Sequence, residues 1–345
     1  MSSPAGDPPV GEPSTIAPPS QSPPAPTAAN AAIEVDTDGD SSYSASTGIT
    51  DTESLRSSVL NYKWEHGRRY HAYGEGPYWG PNDERQQEAE DIMNEVFRIV
   101  LDGHIHKAPI GENPQAVLDV GCGTGIWAVE FADLYPSADV LGIDISPIQP
   151  SFIPPNCRFE IDDINKEWTF EDDEFDFIHI RYMTGTVADW PEFLIKAQRH
   201  LKPNGWIEHV ELWGDARSDD GSLLPDSPLV KWVEIFKAVG KKLEKRFFWN
   251  SSKAFKEAGL VNVGEHVVKV PIGTWAKDKD LKQWGAWNRA YLLQGLEGFG
   301  LRALTEIEGW GLEEAHVFLA DLRRQILDPK VHSYVLVTAV YGQKG

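Results

Sequence analysis

The chain has 345 residues, long enough for one large domain or two small ones, and its 41% apolar residues and 13 Trp argue for a substantial core. The formal net charge of -21 argues against a sequence-independent grip on nucleic acid and against anionic membranes, both of which need clustered Lys and Arg. Two cysteines, Cys122 and Cys157, make neither a disulfide framework nor a zinc set and read as a reduced intracellular pair.

Residues 1–55 are rich in Pro, Ser, Ala and Thr, with nine prolines in the first 30. They hold eight acids and no Lys or Arg, which leaves -13 for the rest. Such a segment cannot bury enough apolar area to offset its ordering entropy, so it reads as a disordered acidic tail. It lacks the basic start and apolar core of a signal peptide. No run of 18 apolar residues marks a membrane span.

Residues 56–110 read as an aromatic, then helical, segment. Tyr62, Trp64, Tyr70, Tyr73, Tyr78 and Trp79 precede Pro81-Asn82-Asp83-Glu84, where Asn82 or Asp83 can cap a helix carrying Ile92, Val96, Ile99 and Val100. His104 and His106 form an isolated His-x-His that reads as surface loop rather than metal site. From 111 to 345 strands and helices alternate, which favours a parallel sheet. Strands are expected at 116–120, 139–143, 157–161, 175–180, 206–212, 263–270 and 333–341. Helices are expected at 124–135, 190–201 and 228–246, with a mostly helical insertion over 275–330.

The chemistry concentrates at the end of the first of these strands. Val117-Leu118-Asp119-Val120 runs into Gly121-Cys122-Gly123-Thr124-Gly125 and then a helical pattern. Glycines without Cβ let a ligand lie against the backbone, and the N–H groups of the helix start face it. A dinucleotide turn is G-x-G-x-x-G, but here Ile126 stands where the third glycine belongs. The shorter spacing suits S-adenosylmethionine, which has no phosphates. About 20 residues on, Leu141-Gly142-Ile143-Asp144 ends the next strand in an acid that can accept from both ribose hydroxyls. That acid would serve NAD equally, so Asp144 alone does not decide between the two.

The run from Val117 to Asp144 resembles the first motif and second strand of class I methyltransferases. The wider text resembles the fungal LaeA-like branch, named for a regulator of secondary metabolism. The matching residues are Leu118 through Ala128, then Pro147-Ile148-Gln149-Pro150 and Pro155-Asn156-Cys157. Upstream, His66-Gly67-Arg68-Arg69-Tyr70-His71 resembles the branch's Glu-Asn-Gly-Arg-x-Tyr-His element, with His66 in place of the usual Asn. The likeness covers roughly residues 60–345. It implies a Rossmann-like α/β fold, a mostly parallel seven-stranded sheet with helices on both faces, and a helical lid ahead of it. It also implies that S-adenosylmethionine contacts Gly121, Cys122, Gly123, Gly125, Asp144 and Ile145. Of Asp162 and Asp163, the second would take the adenine amino group, and Ile164 would pack on the ring. Arg181 would lie by the methionine part of the cofactor, and Tyr70 near the ligand under the lid. Solvated loop acids, a surface arginine and a simply packed prefix are the plainer alternatives for these positions.

Methyl transfer from a sulfonium requires mainly that the acceptor be held close and aligned. A base is needed only where the acceptor must lose a proton. His71, His209 and Glu211 are candidate bases, and none is assigned as catalytic. The sequence leaves the acceptor open between a metabolite and a protein, with a regulatory protein as a further partner. It places the chain inside the cell, in cytoplasm or nucleus. A second reading keeps fold and cofactor but makes the chain a regulatory subunit with little turnover. The Asn/Asp-Pro-Pro-Tyr signature of DNA-amine methylation is absent.

Overall fold

The computed structural model describes residues 61–73 and 78–345. The expected disordered tail at 1–55 lies outside the described residues, as do 56–60 and 74–77 of the expected lid.

The first element is a hairpin, β1 (Lys63–Glu65) and β2 (Arg68–Tyr70), paired antiparallel. Its two-residue turn is His66-Gly67, with φ of 50° and 76°. A type I′ hairpin turn needs positive φ at both positions, and Gly67 meets that need without strain. Asp83 then caps α1 (Glu84–Val100) by accepting from the Gln86 N–H. The same carboxylate takes a double hydrogen bond from Arg68, at 2.6 and 2.9 Å, so one acid ties the hairpin to the helix start.

Seven further strands form one sheet: β3 (Ala116–Val120), β4 (Asp139–Asp144), β5 (Cys157–Ile161), β6 (Phe175–Arg181), β7 (Leu201–Arg217), β8 (Val261–Pro271) and β9 (Tyr334–Gln343). Their order is β5-β4-β3-β6-β7-β9-β8. The pairs from β5 through β7 are parallel, and β9 runs antiparallel between β7 and β8. The alternation of side chains along a strand sends successive residues to opposite faces. Val117 is therefore in register with Val140 and Phe177, and these pack under α2 (Ile126–Leu134) with Trp127 and Phe131. Leu118, Leu141 and Ile178 face the other way, onto Phe193 and Leu194 of α3 (Trp190–His200). Burying both faces explains why these strands read as continuous apolar runs.

The remaining helices are α4 (Pro228–Leu243), α5 (Ser251–Glu257), α6 (Lys279–Arg302) and α7 (Leu312–Leu327), with a π-helical turn at Ala303–Ile307. The last two and the π turn fill the insertion expected at 275–330. They join α1 in a third core, where Val96 and Phe97 share a cluster with Leu296, Phe299 and Leu319. Arg302 locks the hairpin onto this layer. It donates to the Tyr78 carbonyl at 2.7 Å, pairs with Glu65 at 3.1 Å and lies 4.5 Å from the centre of the Tyr70 ring. β3 is the strand from which the order runs outward in both directions, so a ligand crevice is expected beyond its carboxyl end.

Candidate active site

A cavity of about 400 Å³ opens at that point, between the ends of β3, β4, β5 and β6 and the inner face of α1. Its floor is the glycine turn. Gly121, Gly123 and Gly125 have φ of 70°, 54° and 79°, a region that disfavours any side chain. The turn hangs from β4: the Gly121 and Cys122 N–H groups both donate to the Ile143 carbonyl, at 2.9 and 3.0 Å. Gln149 pins it from the far side, donating to the Gly123 carbonyl at 2.6 Å and the Ser146 carbonyl at 2.9 Å. This gives the Pro-Ile-Gln-Pro text a structural task that spacing alone did not disclose.

Asp144 ends β4 beside the turn. Oδ2 accepts from the Gly123 N–H at 2.9 Å, and Oδ1 accepts from the Ser146 N–H at 2.8 Å. Burial pushes its pKa up to about 6 in spite of these bonds. A carboxylate has room for about four hydrogen bonds, so each oxygen keeps capacity for one more donor. Past β5, the Asp162 carboxylate caps its own next N–H at 2.8 Å, while Asp163 accepts from the Asn165 N–H at 3.0 Å. Both acids face the cavity, as do Ile145 and the buried Ile164. Arg181, at the end of β6, also lines it; its guanidinium lies 5.2 Å from the centre of the Phe97 ring, and burial lowers its pKa. It is not a surface arginine.

Two expected contacts lie elsewhere. Tyr70 is 1% exposed and outside the cavity lining; Arg302 covers its ring, and it serves the hairpin anchor. The next residue, His71, reaches the wall instead. Gly125 also lies outside the lining. A Cβ there would come within 2.4 Å of the Phe159 ring, so its glycine is required by packing beneath the turn.

Of the three candidate bases, only His71 lines the cavity, and burial lowers its pKa. His209 and Glu211 are fully buried in β7, where His209 Nδ1 lies 3.2 Å from Ser251 Oγ and Glu211 accepts from the Leu212 N–H. His106 is bonded to the Ala108 carbonyl and the Tyr135 hydroxyl, and no metal-binding cluster occurs among the described residues. Sequence reading passed over Glu90, Met93 and Tyr182 and named Tyr78 only among the aromatics of the expected lid; all four line the cavity. One signal for Glu90 existed. Gln86, Glu90 and Asn94 put polar groups on the stripe of α1 that also carries buried Met93 and Phe97.

The arrangement fits the nucleoside that the sequence implied. Gly123 presents bare backbone to the cavity, where an added Cβ would meet the Glu90 carboxylate at 3.0 Å, and Asp144 holds unused acceptor capacity beside it. Sheet order, glycine turn and strand-end acid together define a class I S-adenosylmethionine-dependent methyltransferase.

Comparison with known proteins agrees. A methyltransferase domain family matches residues 92–304. "Methyltransferase pytC" of Aspergillus terreus is 37% identical over 315 residues, covering 90% of this chain and 96% of its own. "Secondary metabolism regulator LAE1" of Cochliobolus heterostrophus is 39% identical over 279 residues, covering 78% and 91%. "Protein-methionine methyltransferase laeA" of Emericella nidulans is 30% identical over 285 residues, covering 81% and 76%. The chain belongs to this methyltransferase family, in its LaeA-like branch.

Proposed function

We propose that the chain moves a methyl group from S-adenosylmethionine to an acceptor in fungal secondary metabolism. The observation that carries this is the meeting of the glycine turn, Asp144 and the Asp163-Ile164 pair in one cavity. In this reading Asp144 would hold the ribose hydroxyls, Asp163 the adenine amino group and Arg181 the methionyl carboxylate. Ile145 and Ile164 would pack on the adenine. The bound cofactor supplies a methyl already activated by its sulfonium, with a neutral thioether as leaving group. The chain's own contribution is alignment and exclusion of water, worth several kcal/mol when the acceptor is held in line. If the acceptor carries a proton to be lost, His71 is placed to take it, since burial keeps its ring neutral near pH 7.

The acceptor class follows from kinship only in outline. One relative is named for methylating protein methionine, others as regulators. We take the acceptor to be a metabolite or a protein inside the cell. The anionic surface suits a basic regulatory protein as partner. Kinship with regulators also supports a second reading, a cofactor-binding subunit with little turnover. Cell extract incubated with the purified chain and deuterated-methyl cofactor, read by mass spectrometry, tests both. Label on a metabolite or protein supports the enzyme. Tight cofactor binding with label nowhere supports the subunit.

A further inference from the structure

The cavity is anionic in excess. Glu90, Asp119, Asp144, Asp162 and Asp163 line it, against Arg181 and Lys245. Most of these acids already have structural work. Asp144, Asp162 and Asp163 hold backbone N–H groups, and Asp119 Oδ1 lies 2.9 Å from the buried His179 Nδ1. Glu90 does not. Its hydrogen-bond partner among the described residues is the Gln86 amide, at 3.4 Å. Its Oε2 projects from α1 across the cavity towards Gly123, 3.0 Å from where a Cβ would stand. A carboxylate with so little support, aimed at the cofactor turn, has no evident role in the ligand-free fold.

The groups around it come from several elements. Gln86 and Asp91 share α1 with it, Asp144 faces it from β4 and Arg181 from β6. Its charge is also felt by Tyr78, Tyr182 and Tyr291. Burial first, then the Asp144 charge, pushes Glu90 up to about 8. The acid thus holds a proton near pH 7 that a cation in the cavity would displace. S-adenosylmethionine carries a net positive charge. Its product, S-adenosylhomocysteine, is the same molecule without the methyl and without the charge on sulfur.

Building on the cofactor reading above, we infer that Glu90 is a specificity-determining residue, making the cavity prefer the cationic sulfonium donor over the neutral thioether product. Product then leaves a site that holds substrate more firmly. Asp144, at about 6, is already largely charged across the range tested below, so it adds little pH dependence of its own.

The test is calorimetric titration of the full chain and of Glu90→Gln with each ligand separately, between about pH 6.5 and about 8.5, in two buffers of different ionisation enthalpy. A cation that lowers the Glu90 pKa by about one unit binds about tenfold better above the titration than below it. In the unaltered chain the preference for S-adenosylmethionine should rise about tenfold across the range, with protons released on binding that ligand alone. Glu90→Gln should keep its product affinity within about twofold and lose the rise. An unchanged preference in the variant overturns the inference. So does equal weakening of both ligands, which would make Glu90 a structural residue. Failure of the unaltered chain to bind either ligand overturns the cofactor reading and this inference with it.

Discussion

Gly123→Val separates damage to the site from damage to the fold. Gly123 has φ of 54°, and a Cβ there would point into the cavity, touching only Glu90 Oε2 at 3.0 Å and Cδ at 3.9 Å. The fold therefore loses little packing. The left-handed backbone costs about 1–2 kcal/mol with an ordinary side chain, somewhat more with a β-branched one. For a domain of this size that is a fall in Tm of about 2–6 °C. The site should lose far more, because three new carbon atoms would occupy the surface proposed for the cofactor. The turn is held through Ile143 and Gln149 and cannot retreat cheaply. Overpacking of this kind costs about 1–3 kcal/mol, and the lost ligand contacts add to it, so affinity should fall at least about a hundredfold. Calorimetric titration with S-adenosylhomocysteine, beside a thermal melt, reads both effects. A melt lowered by a few degrees with affinity within about threefold of the unaltered chain would refute the placement of the site.

Asp144→Asn should weaken S-adenosylhomocysteine by about ten- to a hundredfold, because a charged acceptor is exchanged for a neutral one at about 1.5–3 kcal/mol per bond; an affinity for that ligand within about threefold of the unaltered chain would contradict the ribose assignment. Gly125→Ala should act through stability. It adds left-handed strain to a collision with the Phe159 ring, about 2–4 kcal/mol together, and a melt unchanged within a degree or so would contradict that role. Raised carboxyl groups set a pH trend. Glu90 at about 8 and Asp119 and Glu208 at about 7 hold protons in the folded state that the unfolded chain has released. Their stabilisation is complete below the ordinary carboxylate range and is lost as pH rises through these values. The ligand-free Tm should therefore fall between about pH 7 and about 8.5, above the range where His71, His106 and His179 oppose the trend, and Glu90→Gln should flatten the fall. A flat profile in the unaltered chain would count against buried acids at this site.

The centre of the sheet was legible because its strands are buried on both faces and bounded by turns, and Ala116–Val120 falls where its apolar run puts it. The edge strand Cys157–Ile161 is instead marked by its alternation of apolar and polar residues. The hairpin at 63–70 was not legible, since each strand has only three residues and the buried side of the second is Arg68 and Tyr70 rather than an apolar pair. β7 extends well beyond 206–212 at both ends, because pairing with β6 and β9 carries it past its apolar stretch. Most of the residues expected at the cofactor meet in one cavity, because they lie next to the turns that carry the motif. The rest of the wall was not legible. Glu90 and Met93 reach the cavity only because α1 is fastened across it by Arg68–Asp83 and by packing on α6, and Tyr182 reaches it from the end of β6, contacts that no local pattern announces. Tyr70 shows the converse error, a motif residue whose neighbour faces the ligand while it turns inward to Arg302.

Where the cofactor binds decides the rest, and a crystal structure of the chain with S-adenosylhomocysteine would show it. The nucleoside should occupy the cavity floored by Gly121 to Gly123, with its ribose hydroxyls on the Asp144 carboxylate and its adenine against Ile145 and Ile164, the Asp163 carboxylate at its amino group. Density for the nucleoside at any other place, or its absence from this cavity at saturating ligand, would contradict this placement.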